Sequence, residues 1–148
     1  MKNRRSFITG LKSTVLQSIE IRFLKKYKPW GVILFSRNIK SIEQTKKLTD
    51  DIKKIFNDRK YPILIDQEGG RINRLSKFID TSKFTGTFFG SLYKNNFKKF
   101  TTYYQIYIMQ TCYLMHILGV NINTVPVLDV RHKKSHNIIG DRAFSTNP

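Results

Sequence analysis

"PILIDQEGGRINRL", Pro62–Leu75, decides the fold. Its apolar part, Ile63–Ile65, shows no alternation with polar residues, so both faces of this strand are buried, as a parallel sheet requires. The strand stops on Asp66 and gives way to Gln67, Glu68, two glycines and the arginines Arg71 and Arg74. Two carboxylates at the mouth of a buried strand are either an ordinary polar turn or the rim of a site that grips something polar.

Working outward, "WGVILFSRN" is a second run of the same kind, apolar from Val32 to Phe35. Between the two, Ser41 precedes "IEQTKKLTDDIKKIF" with Gln44 three residues on, the spacing of a capping box. Ile42, Leu48, Ile52, Ile55 and Phe56 form the inner side of that helix. Upstream, "SFITG" is a weak first strand. Val15, Leu16, Ile19, Phe23 and Leu24 then recur at helical spacing until Pro29. Downstream, residues Leu75 to Asn96 read as a long loop containing Gly86 and Gly90. A helix resumes near Phe97 and ends at a left-handed Gly119, its aromatic and Met residues reading as core. "VNINTVPVLDV" is a further strand that leads into a last loop.

The order is repeated β/α with about four strands, an α/β fold. A complete barrel of this kind takes about 250 residues, and the 148 residues here hold the content of roughly half of one. The expected organisation is one domain over residues 1–148, incomplete at its C-terminus.

Lys and Arg total 27 against 10 acids, a formal charge of +17, which raises the question of a polyanion partner. The lysines are spread in pairs such as Lys25-Lys26, Lys46-Lys47, Lys53-Lys54 and Lys133-Lys134, without a single basic stripe, which reads as a solvated surface. Cys112 is the one cysteine, so no internal disulfide forms, and with His116 four residues on it reads as core packing. The start "MKNRRSFITGLKSTVLQ" has the charge of a signal peptide without its apolar run, and no stretch is long enough to span a membrane. A soluble cytoplasmic protein is the expectation.

Polar residues gather at three strand ends: Arg37 and Asn38; Asp66, Glu68, Arg71 and Arg74; and Asp129, followed by Asp141 and Arg142. Ligands bind at the C-terminal strand ends of parallel β/α folds. Each residue also has a structural reading: Asp66 capping its own turn through the Gly69 and Gly70 amides, Glu68 paired with Arg71 or Arg74, Asp129 ordering its own loop. His132 and His136 lack the ligand spacing and carboxylate partners of a metal site. Carboxylates that accept from adjacent hydroxyls, beside arginine forks, fit a hydroxyl-rich ligand such as a sugar better than a phosphate.

"KPWGVILFSRNI", "PILIDQEGGRINRL", "LGVNINTVPVLDV" and "IGDRAF", in this order, closely resemble the N-terminal part of glycoside hydrolase family 3, above all its bacterial β-N-acetylhexosaminidases. The resemblance implies a TIM-type (β/α)8 barrel, of which this chain is the N-terminal portion, about half. It further implies removal of terminal N-acetylglucosamine from peptidoglycan-derived fragments in cell-wall recycling, with no cofactor or metal. Carried over by position, Asp66, Arg74 and Arg142 bind the sugar. A retaining glycosidase also needs an acid/base group and a nucleophilic carboxylate. The segments that carry these in the family, and its Lys-His substrate pair, find no match, so no catalytic residue is expected in this chain. Ser145 stands where the family usually has Gly.

Two other readings stay open. A basic nucleic-acid-binding module without enzymatic activity would bind with strong salt dependence. A half-barrel with two open parallel edges would self-associate or pair with a second polypeptide.

Overall fold

Strands cannot satisfy their backbone alone, and two that are apolar on both faces, Pro29–Leu34 and Ile63–Ile65, pair at the centre of a four-stranded sheet whose outer strands are more exposed. The computed structural model describes residues 3–132 and 134–147; Met1, Lys2, Lys133 and Pro148 lie outside them, as therefore does one lysine of the Lys133-Lys134 pair. The strands are β1 (Arg5–Gly10), β2 (Pro29–Leu34), β3 (Ile63–Ile65) and β4 (Ile122–Asn123), in spatial order β1-β2-β3-β4. Every pairing is parallel, with Val32 opposite Ile63 and Leu64 opposite Ile122. The α/β class read from the sequence holds.

The helices are α1 (Ser18–Tyr27), α2 (Ile42–Ile55), α3 (Gly86–Asn95) and α4 (Phe97–Leu118). The chain divides into two compact units. One comprises residues up to Ile65 with Tyr113–Asn123; the other comprises Asp66–Cys112 and the residues from Thr124 onward.

The first unit holds the sheet, α1 and α2. Val32, Leu34, Ile52, Ile63 and Ile65 are fully buried in its core, with Leu24 of α1 and Leu48 of α2. α1 begins at Ser18, later than the apolar spacing alone predicts. The Glu20 carboxylate accepts from the amides of Gln17 (2.9 Å) and Lys12 (2.8 Å), fixing the start there. Of the five apolar positions read onto this helix only Leu24 is buried, and Ile19 and Phe23 face solvent. At α2 the Ser41 hydroxyl accepts from Gln44 N, as expected of an N-cap. The reciprocal bond is displaced by one residue: Gln44 Oε1 accepts from Lys40 N at 2.8 Å, not from Ser41. The Gln44 amide meanwhile donates to Thr14 O and Asn38 O, so its side chain is drawn to the neighbouring loop.

Arg37 and Asn38, read as part of a ligand rim, bond backbone. Asn38 is completely buried; its amide donates to Leu11 O and Ser13 O and its oxygen accepts from Phe35 N. Arg37 Nε donates to Leu11 O at 2.8 Å. A buried amide with three partners is a structural tie, since removing it strands each partner.

The second unit departs most from the sequence reading. Residues 75–96 are not one loop: α3 occupies Gly86–Asn95, opened by Thr85, whose hydroxyl accepts from Phe88 N at 3.0 Å. The two glycines that masked this helix sit four residues apart on one face of it. A methyl at Gly86 would lie 2.1 Å from the Arg142 carbonyl oxygen, and one at Gly90 1.8 Å from that of Phe144. Their absence of side chain lets the segment 142–144 lie against the helix backbone. Phe89 of α3 is buried against Tyr104 and Tyr107 of α4, with ring centroids 4.8 and 5.3 Å away.

α4 and its left-handed Gly119 (φ +74°) are as expected, but much of its apolar content is not core. Tyr103, Ile106, Met109 and Tyr113 are exposed, and so are Cys112 and His116. One stripe through Tyr104, Tyr107, Thr111, Met115 and Leu118 carries the inward contacts, and Cys112 and His116 lie off it. Among the described residues no helix is long and apolar enough to cross a membrane.

Gly90→Ala is expected to destabilise the protein by about 2 kcal/mol or more, because overpacking against a fixed carbonyl outweighs the roughly 1 kcal/mol that Ala gains over Gly within a helix. Urea unfolding of the two proteins measures it; an unchanged or raised midpoint would show that the 142–144 segment can retreat.

Candidate functional site

Directly past the C-terminal end of β3, alternation puts Gln67 on one side of the chain and Asp66 and Glu68 on the other. Gln67 is buried at 1% exposure, whereas its two acidic neighbours are half-buried. Gln67 organises the turn: its oxygen accepts from Leu75 N at 3.0 Å and its amide donates to Asn73 Oδ1 at 3.1 Å. This holds the backbone after Arg74 and the side chain before it. Gly69 adopts φ +88°, and a Cβ there would come within 2.3 Å of Phe84 O, so the turn takes glycine on both counts.

The carboxylates then find arginines. Arg74 Nη2 stands 3.6 Å from Asp66 Oδ2, and Thr124 Oγ1 donates to Asp66 Oδ1 at 2.6 Å. Arg142 grips Glu68 with two bonds, Nε to Oε2 at 2.8 Å and Nη2 to Oε1 at 2.7 Å. The hydrogen bonds to Glu68 are the main reason that the Arg142 pKa is raised above its ordinary value. Arg71 Nε lies 3.3 Å from Asp141, and its Nη2 donates to the carbonyls of Asn137 (2.7 Å), Ile138 (2.7 Å) and Ile139 (3.1 Å).

These partners correct three structural readings of the sequence. Asp66 does not cap its turn through Gly70, whose amide donates to Thr81 O at 2.8 Å instead. Glu68 pairs with neither Arg71 nor Arg74, because the turn sends Arg71 to Asp141 and Arg74 to Asp66. Asp129 is exposed and orders no loop by a hydrogen bond among the described residues; it acts on Arg142 through its charge. His136 Nδ1 accepts from Ile138 N, a loop bond, and no group of three metal-ligating side chains occurs among the described residues.

Of the three residues singled out, Asp66 and Arg74 are brought together directly, and Arg142 lies in the same unit through Glu68. Two participants were missed. Thr124 immediately follows β4, so the strand-end rule that selected Asp66 also selects it. Gln67 was overlooked because a polar residue between two acids reads as exposed, whereas alternation buries it.

The result is a charge-paired patch: three carboxylates, Asp66, Glu68 and Asp141, are each matched to an arginine, and Asp129 acts on Arg142 through its charge. Such a surface offers both acceptors and forked donors without a surplus of positive charge.

A parallel β/α chain with its polar groups gathered just past a strand's carboxyl end has the build of an enzyme domain of the β/α-barrel type. The particular family is shown by the sequence: the profile of the glycosyl hydrolase family 3 N-terminal domain matches residues 11–148, and the chain belongs to that family. It is 36% identical over 143 residues to a β-hexosaminidase of Hydrogenovibrio crunogenus, covering 95% of this chain and 39% of the relative. A β-hexosaminidase of Thioalkalivibrio sulfidiphilus is 33% identical, covering 93% and 39%. The NagZ structure from Neisseria gonorrhoeae in complex with N-trifluoroacetyl-D-glucosamine superposes with a TM-score of 0.75 at 26% identity, covering 98% of this chain and 42% of that one. Native NagZ of the same organism gives 0.78 at 25% identity, with coverage of 98% and 42%. The chain thus spans about two fifths of the length of these relatives, and its fold is the N-terminal portion of the TIM-type barrel expected from the sequence.

Replacing Gln67 by Leu is expected to cost about 2 kcal/mol, the penalty of stranding the buried Leu75 amide. Urea denaturation reads it, and an unchanged midpoint would mean that the turn carrying Arg74 is held by other bonds.

Proposed function

We propose that this chain provides the sugar-gripping part of a β-N-acetylhexosaminidase-like glycoside hydrolase that acts on terminal N-acetylglucosamine of cell-wall fragments, with Asp66, Arg74 and Arg142 as the sugar-binding residues. The observation that carries the reading is the charge-paired patch: in a chain of net charge +17, residues of the second unit pair off as Arg74–Asp66, Arg142–Glu68 and Arg71–Asp141. A site for a polyanion would leave cations unmatched, so this patch does not suit a nucleic acid. An uncharged, hydroxyl-rich ligand fits it, and the β-hexosaminidase names of the relatives support that choice. The lone, exposed Cys112 suits a reducing cytoplasm.

Binding and chemistry separate here. Retaining glycosidases place two carboxyl groups on either side of the scissile bond, about 5–5.5 Å apart, one of them free to attack. Asp66 and Glu68 are turned to different arginines and Asp141 to a third, so none is aimed as a nucleophile.

The purified 148-residue chain is therefore expected to bind N-acetylglucosamine in saturation-transfer NMR and to leave a chromogenic N-acetyl-β-glucosaminide unhydrolysed. Asp66→Ala should weaken binding about tenfold or more, the loss of one charged hydrogen-bond acceptor. Absence of binding by folded wild-type protein would end the proposal; turnover that Asp66→Ala abolishes would overturn the separation of binding from chemistry.

A further inference from the structure

Arg142 is held by more than a ligand-binding arginine needs. A guanidinium carries five N–H groups. Three are engaged: Nε and Nη2 with the two oxygens of Glu68, and Nη1 with Ile138 O at 3.2 Å. That leaves one N–H on each terminal nitrogen among the described residues. The carbonyl that takes Nη1, Ile138 O, is also gripped by Arg71 Nη2 at 2.7 Å, together with its neighbours on either side. Gly140 (φ +44°) closes the turn between this clamp and Arg142, with space for a Cβ limited by Arg71 Nη2 at 3.0 Å. Glu68 therefore fixes the plane of the guanidinium, and Arg71 fixes the backbone that carries it.

The Glu68 side chain retains 13% of its accessible surface and that of Arg142 23%, so the pair is open to a ligand. A ligand oxygen reaching the remaining N–H groups arrives beside the carboxylate. A hydroxyl or amide oxygen pays little for that proximity, whereas a carboxylate is repelled.

We infer that Glu68 is a positioning and specificity-determining residue: through its two bonds to Arg142, with Arg71 clamping the loop, it aims the remaining N–H groups of Arg142 at a ligand and restricts them to uncharged oxygens. The inference rests on the sugar-binding reading and adds to it the exclusion of acidic sugars and the residue responsible.

The test compares N-acetylglucosamine with glucuronate as ligands of the folded chain, in wild type, Glu68→Gln, Arg71→Ala and Arg142→Ala. Glu68→Gln is nearly isosteric and keeps a hydrogen-bond acceptor, so it preserves packing. Wild type is expected to prefer the neutral sugar, and Glu68→Gln to shift the ratio of affinities about tenfold toward the acid, the scale of one charged interaction. Combined with Arg142→Ala, Glu68→Gln should have no further effect on that ratio. Arg71→Ala should weaken both sugars without changing the ratio, which is also what general loosening alone would give in Glu68→Gln. An unchanged ratio in Glu68→Gln, with sugar binding intact in wild type, overturns the inference and leaves the sugar-binding reading standing.

If wild type binds neither sugar, the sugar-binding reading fails instead, and the positioning role is read from the Arg142 Nε–H resonance. That signal should be protected from exchange in wild type and lose its protection in Glu68→Ala, which removes both acceptors. Equal protection in both proteins would overturn the positioning as well.

Discussion

The Glu68–Arg142 pair joins residues 74 positions apart and fastens the two stretches of chain that make up the second unit. A contact so distant in sequence carries a loop-closure cost that two charge-assisted bonds on partly exposed side chains do not meet alone. Packing meets it. Phe89, Tyr104 and Phe144 bring α3, α4 and the segment after Arg142 together, with Phe144 edge-on to Tyr104 at 6.1 Å. The glycines of α3 let that segment approach closely enough for those rings to meet. The pair is thus the last term in a sequence that runs from small residues, through aromatic packing, to a charged grip.

Acids are scarce in this protein, which makes their placement informative. Of ten, three are committed to Arg74, Arg142 and Arg71 of the second unit. Others serve folding: Asp58 pairs with Arg4, Glu20 holds the start of α1, and Asp50 and Asp51 of α2 meet lysines one turn away. The helical pairs are solvated and contribute little to stability. In the second unit the same chemistry does something different, because Gln67 and the loop clamp hold the arginines in fixed directions. Pre-set forks lose less entropy on meeting a ligand than free side chains do.

What could be read from the sequence follows from which forces leave a periodic trace. β2 and β3 declared themselves because burial on both faces demands an unbroken apolar run; Ser41 and Gly119 did so because capping restricts residue type. α3 left no trace of that kind. Gly86 and Gly90 reduce helix propensity, and their reason for being there, the approach of residues 142–144, is a distant backbone that no local pattern encodes. α4 failed in the opposite way. Its aromatic and Met residues signal burial by type, yet one helix presents only a stripe inward, so Tyr113 and Cys112 face outward. In the site, Asp66, Arg74 and Arg142 were legible as residues to watch, but the pairing was not. Choosing Arg142 for Glu68 over the nearer Arg71 and Arg74 depends on the direction of a tight turn.

That turn also explains why gripping and reacting need separate residues. A carboxylate that binds sugar hydroxyls works best when its orientation is fixed and its charge is matched, as Asp66 is by Thr124 and Arg74. A nucleophilic carboxylate needs an unmatched lone pair aimed at carbon. Matching Asp66, Glu68 and Asp141 to arginines suits them to the first task and withdraws them from the second. A site built this way can orient a sugar while the groups that break its glycosidic bond are supplied by side chains without an arginine beside them.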